Sequence, residues 1–590
     1  MNQQNKTCQN CKKNFVIEPE DFDFYKKIEV PPPTFCPECR LIRRLAWRNE
    51  RTLHSGECDK CGKPIITVFS KKSGLTVYCR PCWWSDSWDA LDYGIDFDPA
   101  RPFLTQLREL FNKVPVMALF GIYDTLENSE YTNMVSHLKN CYFVTYCDHS
   151  ENCLYGSLIL RSKDSVDNLL LFDSELCYGN TNCKKCYQTL FSTDCENCNN
   201  ILFSRNCLGC SDCFGCVNLR NKKYYIFNEP HTKTEYEKFI NENSLDSFTK
   251  IKKLQVVVDQ HWKNFPRRYI HGIHNNNVSG DYISYSKNTH GSFMVDKVED
   301  SKWCSYALVD VLTNSYDFTH YGPQSELLYE SLQVGFQSSR VFFSWFVLTA
   351  INVEYSLFNI GGQNVFGSAG LKKKEYCILN KQYSKNEYQV LRDKIIQQMK
   401  SLPYKDAAGN VYSYGEFFPI EMSPFGYNET GVQEFFPLTQ EIAKSKKYQW
   451  GLPENKNYKI TEPAEDLPDS INEVDRSITN EVISCLDKGN CNHSCATAFK
   501  IVPQEFEFYK RMKLALPRYC PSCRHYQRLK NINPPKLWHR QCMCDYAIYK
   551  NTAKHQHHLT GQCPNEFETS YAPERPEIVY CEPCYQAEVI

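Results

Sequence analysis

Between Asn182 and Val217 the chain repeats every 12 residues, as NCKKCYQTLFST, DCENCNNILFSR and NCLGCSDCFGCV. All twelve cysteines from Cys141 to Cys216 fall on positions divisible by three, and most recur at multiples of six. A short fixed period, rich in Asn, Ser, Gly and aromatic residues, suits a stack of coils in which equivalent residues form ladders. The period predicts a β-solenoid with the cysteines facing inward.

The block has a diverged copy. Leu219–Phe239 (LRNKKYYIFNEPHTKTEYEKF) matches Leu371–Leu391 (LKKKEYCILNKQYSKNEYQVL) at an offset of 152. Each copy is followed by a stretch opening at Thr232 or Ser384 with Glu three positions on, the spacing of a capping box, which predicts a helical cap. The second block keeps only Cys304 and Cys377 and carries Tyr, Phe, Val and Leu in place of the rest. A copy that does without the thiols argues that they pack, since a free Cys behaves as a small hydrophobe. The rival reading is an iron–sulfur cluster on Cys207, Cys210, Cys213 and Cys216, which would make the chain a redox carrier. Their spacing approaches the ferredoxin run but lacks its wider last gap and following Pro.

The ends are duplicated as well. Cys11 to Cys58 aligns without gaps with Cys495 to Cys542, at an offset of 484. No apolar leader opens the chain, and its longest apolar run, near Val341–Ile351, is too short to span a bilayer. These features lead us to expect a soluble cytoplasmic protein without membrane contact. In a reducing compartment, cysteines in C-x2-C pairs favour metal over disulfide. Two tandem sets stand at the N-terminus: Cys8, Cys11, Cys36 and Cys39, then Cys58, Cys61, Cys79 and Cys82. Four thiolates fill a tetrahedral shell, so the expected ion is structural zinc. The C-terminal copy offers Cys491, Cys495, Cys520 and Cys523, then Cys542, Cys544, Cys581 and Cys584, with Cys563 as an alternative in the last set. That makes about four zinc ions per chain. His555, His557 and His558 read as a solvated loop.

The Cys pair, the FDFYK segment and CPECR, with Cys11, Phe15, Phe24, Tyr25, Cys36, Pro37, Cys39 and Arg40, resemble treble-clef or zinc-ribbon domains of bacterial proteins. More broadly, CRPCWWSD, SELCYG, CFGCVNLRNKKYY, YGEFFP, SPFGYNET and RPEIVYCEPCY resemble a Cys-rich family of candidate-phylum bacteria. The resemblance implies zinc modules and no established activity. The acyl-CoA transferase label that similar sequences carry finds no motif here, because that chemistry wants a carboxylate nucleophile in an α/β scaffold.

The expected architecture is multi-domain and mainly β. It runs as zinc finger 1 (1–54, treble clef), zinc finger 2 (55–100, ribbon), a helical connector (101–130), solenoid block 1 (131–229), a helical cap (230–275) and solenoid block 2 (276–381). A helical cap with an aromatic strap (382–450), an acidic, Pro-punctuated linker (451–484), zinc finger 3 (485–540) and zinc finger 4 (541–590) complete it.

For a partner, Arg40, Arg44 and Arg48 fall on one i, i+4 stripe of a helix with Trp47 beside them, and Arg524, Arg528 and Lys530 answer them in the C-terminal copy. Guanidinium donors beside a ring suit RNA or DNA. Against that, Lys+Arg 68 and Asp+Glu 69 leave a net charge of -1 and no global positive field. Pairing with the chain's own acids, for example around Asp86–Asp98, is the alternative. Nucleic acid and protein therefore both stand as partners. Trp83, Trp84 and Trp88 read as filling for a small zinc-knuckle core. No catalytic motif is found, and His271, His274 and the Asp148–His149 pair read as turn or cap residues. The functional expectation is a non-enzymatic zinc-binding scaffold, with a carbohydrate-active solenoid enzyme as a further alternative marked by clustered carboxylates in a groove.

Overall fold

The computed structural model describes residues 2–308, 310–452, 458–549, 551 and 553–590. Two parallel β-solenoid blocks fill its centre, about 21 turns in all. In block 1, beyond a first turn that opens with Gly121 on Val135, strand residues pair with those twelve ahead: Ser157 with Leu169 and Leu169 with Thr181, then Asn199 with Ser211 and Ser211 with Lys223. Block 2 keeps the rule at its far end, where Ile351 pairs with Gln363 and Gln363 with Glu375. In its middle the turns lengthen, Val298 pairing with Leu312 and Glu326 with Ser339, so its repeat is harder to see in sequence.

The triplet spacing has a backbone cause. Met134, His137, Asn140 and Phe143 have φ of 58°, 49°, 52° and 51°, and the same left-handed corner recurs at nearly every third residue of both blocks. Each 12-residue turn is therefore a square coil with four three-residue sides. One residue per side points inward, as Val135, Leu138, Cys141 and Val144 do in one turn and Cys207, Cys210, Cys213 and Cys216 in another. Left-handed corners are unfavourable for residues other than Gly, least so for Asn and Asp. The sequence places Asn and Asp at many of them, and their side chains bond along the coil: Asn128 to Asn140 (3.3 Å), Asn140 to Asn152 (3.2 Å) and Asn152 to Asp164 (2.9 Å).

Inside the coil Ser and Cys do the same work. The Ser162 and Ser174 hydroxyls donate to the carbonyls of Leu160 and Phe172, two residues back (3.0 and 2.7 Å). The thiols of Cys207, Cys210, Cys213 and Cys216 donate to the carbonyls two residues back at 3.5, 3.5, 3.3 and 3.3 Å. The thiols are thus rungs of a ladder that a hydroxyl fills equally well, which supports packing as their role.

Both helical caps form with the capping boxes read from sequence: Lys233–Glu242 behind Thr232 and Glu235, and Lys385–Ser401 behind Ser384 and Glu387. The aromatic segment after the second cap buries Tyr412, Tyr414, Phe417, Phe418 and Phe425 in the largest core cluster. Two boundaries differ from expectation. The connector is helical only over Phe103–Lys113, and coil pairing begins at Gly121. The segment expected as a linker is ordered from 458 to 484, where Ala464, Leu467, Ile471, Val474 and Ile478 are buried in one cluster with Phe506 and Tyr509. Its apolar residues recur among the acids and prolines and bind it down; Pro453 lies outside the described residues. Among the described residues, no helix is long and apolar enough to cross a membrane.

Candidate metal centres

Four knuckle-and-helix units share one construction. In each, the first cysteine's N–H donates to the carbonyl two residues past the second cysteine: Cys8 to Lys13 (2.9 Å), Cys58 to Lys63 (2.9 Å), Cys485 to Thr497 (2.8 Å) and Cys542 to Asn565 (2.8 Å). The third cysteine, Cys36, Cys79, Cys520 or Cys581, sits at the N-cap of a helix with Pro in its first or second position. Proline is favoured there because the missing N–H is an orphan anyway. The third cysteine's own N–H points back at the first sulfur, from Cys79 to Cys58 (3.1 Å), Cys520 to Cys485 (3.2 Å) and Cys581 to Cys542 (3.2 Å). Burial pushes the Cys58 thiol up, but the amides of Cys79, Cys61 and Lys60 outweigh it and hold its pKa below the ordinary value.

These units gather four sulfur tetrads, each within 4.8 Å and able to hold a metal ion: Cys8, Cys11, Cys36 and Cys39; Cys58, Cys61, Cys79 and Cys82; Cys485, Cys495, Cys520 and Cys523; Cys542, Cys563, Cys581 and Cys584. Sulfurs about 2.3 Å from a tetrahedral ion stand about 3.8 Å apart. The sulfurs of Cys11 and Cys36 are 3.7 Å apart, those of Cys61 and Cys79 3.8 Å, those of Cys495 and Cys520 3.8 Å and those of Cys563 and Cys581 3.9 Å.

The two C-terminal sets correct the sequence assignment. Cys485 takes the place expected for Cys491, because the knuckle before Cys495 is seven residues longer than that before Cys11 and the gap-free register fails there. Cys491 stays close, 3.6 Å from the Cys523 sulfur, outside that tetrad. Cys563 takes the place of Cys544, because an insertion widens the last knuckle; Cys544 instead groups with His555, His558 and Cys584. His555 and His558 are buried, so the expectation of a solvated loop is wrong for them.

The basic helices also correct the expectation. Arg40, Arg44, Arg48 and Trp47 are buried and offer no surface to a nucleic acid. Arg40 and Arg44 reach Asp317 at 2.8 and 3.1 Å, and Arg43 reaches Glu330 (2.8 Å) and Glu416 (3.0 Å). Arg48 pairs with Glu50 and lies 3.8 Å over the Tyr306 ring, while Trp47 packs edge-on to Trp345. In the C-terminal copy Arg524 and Arg528 are buried on Asp167 at 2.7 and 3.1 Å, and Arg524 also meets Glu505 (3.1 Å). Lys530 alone of the named basic residues is exposed. Self-pairing thus holds, with the solenoid carboxylates Asp317, Glu330 and Asp167 and with Glu50, Glu416 and Glu505 outside the coils, and not with Asp86–Asp98.

Trp83 is buried and its N–H donates to the Pro115 carbonyl (3.0 Å), whereas Trp84 is 45% exposed. His271, read as a turn residue, is built into the seam between block 2 and the last finger. Its Nδ1 lies 2.9 Å from Asp281 and its Nε2 3.2 Å from the Tyr571 hydroxyl. Burial opposes its charge, yet Asp281 and Asp194 prevail and hold its pKa above the ordinary value. The partners Asp317, Glu330, Asp167 and Asp281 carry no local motif, and sequence reading passed over all four. No protein-family model and no functionally curated protein matches the chain.

Proposed function

We propose that this chain is a non-enzymatic zinc-binding scaffold. Its tetrads take structural zinc, the knuckles clasp the two solenoid blocks, and the outer sides of the coils engage a protein partner in the cytoplasm, where thiols stay reduced. The observation that carries the reading is the direction of the finger helices: Arg40, Arg44, Arg524 and Arg528 are spent on Asp317 and Asp167 of the coils. A metal knuckle whose basic helix is consumed internally serves the fold. Zinc is favoured because four sulfurs complete a tetrahedral shell and leave no position for a substrate. A protein partner is favoured over RNA or DNA because the arginines that would meet phosphate are buried and of that set only Lys530 is exposed, while Tyr187, Tyr285, Phe336 and Ile351 stand exposed on the coils.

The test is zinc and iron content per chain on protein purified without oxygen, followed by partner capture with and without nuclease. Zinc filling the four tetrads, no iron, and capture that survives nuclease are the expected results. Stoichiometric iron would overturn the metal assignment, and salt-sensitive RNA or DNA binding would overturn the choice of partner.

A further inference from the structure

The insertion in the last knuckle folds back over the helix Glu582–Val589 and brings two imidazoles to a sulfur already used. Cys544 Sγ lies 3.6 Å from His555 Nδ1, His555 Nδ1 lies 3.0 Å from His558 Nε2, and His558 Nε2 lies 3.4 Å from Cys584 Sγ. All four donor atoms fall within 4.8 Å of one another. An ion with Zn–S of about 2.3 Å and Zn–N of about 2.0 Å has S···N edges of about 3.6 Å and N···N edges of about 3.3 Å. The observed spacings follow that pattern. The outer nitrogen of His555, Nε2, meets Glu588 Oε1 at 2.8 Å, which fixes the ring with Nδ1 toward the other donors. Metal-bound imidazoles are held by a carboxylate in this way.

Cys584 is also the fourth sulfur of the tetrad with Cys542, Cys563 and Cys581. We infer that the last finger binds two zinc-class divalent ions bridged by the Cys584 thiolate, the second ion being held by Cys544, His555 and His558. Seven side chains then complete two tetrahedral shells, three donors to each ion and one between them. His557 Nε2, 3.1 Å from the Cys584 sulfur, is placed to offer an N–H to the shared thiolate. The second ion pins the insertion to the C-terminal helix, a tie that the N-terminal copy lacks because Cys58 and Cys61 enclose no such insertion.

This inference rests on the reading of the tetrads as zinc sites, and metal counting on the intact chain separates the two. About five zinc ions per chain are expected, one per tetrad and one more. The double variant His555→Ala, His558→Ala should lower the count by one. Four ions in the unaltered chain, or a count that the double variant leaves unchanged, would overturn the bridged centre while leaving the tetrads standing; no zinc at all would overturn both. Cadmium NMR of the unaltered, cadmium-loaded chain reads the bridge without any variant. A pair of mutually coupled resonances is expected, and uncoupled resonances throughout would overturn the shared thiolate.

Discussion

A guanidinium without water is held only by its carboxylate, and removing that carboxylate costs more than the pair itself is worth. Arg528 tests this most directly. Among the described residues Asp167 is its one carboxylate partner, and burial pulls its pKa down to about 10 in spite of that partner. Asp167→Asn leaves Arg528 without a carboxylate and Arg524 with Glu505 alone, so a loss of about 3–5 kcal/mol is expected, read as a lower denaturant midpoint; an unchanged midpoint would show the pairs to be incidental. His271 is one source of pH dependence, in the company of Asp281, Asp194 and Arg205. Its folded pKa is raised, so its contribution is complete below the unfolded value of about 6.5 and drains away as pH rises through the folded one. As pH rises above about 6.5 the unaltered chain should lose stability faster than His271→Gln, and parallel curves would refute the assignment. Sequence legibility follows the same physics. Cysteine pairs were readable because metal chelation demands local spacing. The fate of Arg40 and Arg44 was not, because Asp317 lies more than 270 residues away and looks like any other acid.

At the level of elements the sequence speaks most clearly where one backbone geometry repeats. Every inward position of a square coil has the same carbonyl two residues back, so a residue able to donate to it can be exchanged for another. Cys198 donates to Glu196 at 3.2 Å as Ser174 donates to Phe172. Cys198→Ser is therefore expected to cost less than about 1 kcal/mol, whereas Cys198→Ala forfeits the bond and should cost more. Thermal melts of the two variants check this, and the reverse order would count against the ladder. The helical caps were legible for a similar reason: Ser384 and Glu387 bond each other's backbone amides across three residues. Ser384→Ala should lose about 1 kcal/mol. The knuckles were half legible. Their helix-capping cysteines hold the C-P or C-x-P spacing in every copy, but the hairpin side tolerates insertions, and these displaced Cys485 and Cys563 from the places a gap-free alignment assigns.

The two duplications make one crossed assembly. The first finger's helix, from Pro37 to Leu45, docks on block 2 through Asp317, while the third finger's helix, from Pro521 to Leu529, docks on block 1 through Asp167. The second finger pairs Val77 with Val116 at the entrance to block 1 and also receives Lys372 and Asn380 from the far end of block 2. The fourth finger pairs Val579 with Arg267 at the entrance to block 2 and reaches Asn218 of block 1 through Tyr585. Each finger pair thus grips both blocks, and each solenoid is closed by the finger helix from the distant end of the chain. Metal binding supplies much of the folding energy of a module this small, so its loss should be felt where the module docks. Cys36→Ser is expected to raise hydrogen exchange in block 2 over residues 316–332 with little change at 157–181, and Cys520→Ser to do the opposite. Protection lost only in the segments adjoining each variant in sequence would mean that the fingers fold by themselves and the clasp is not what holds the coils together.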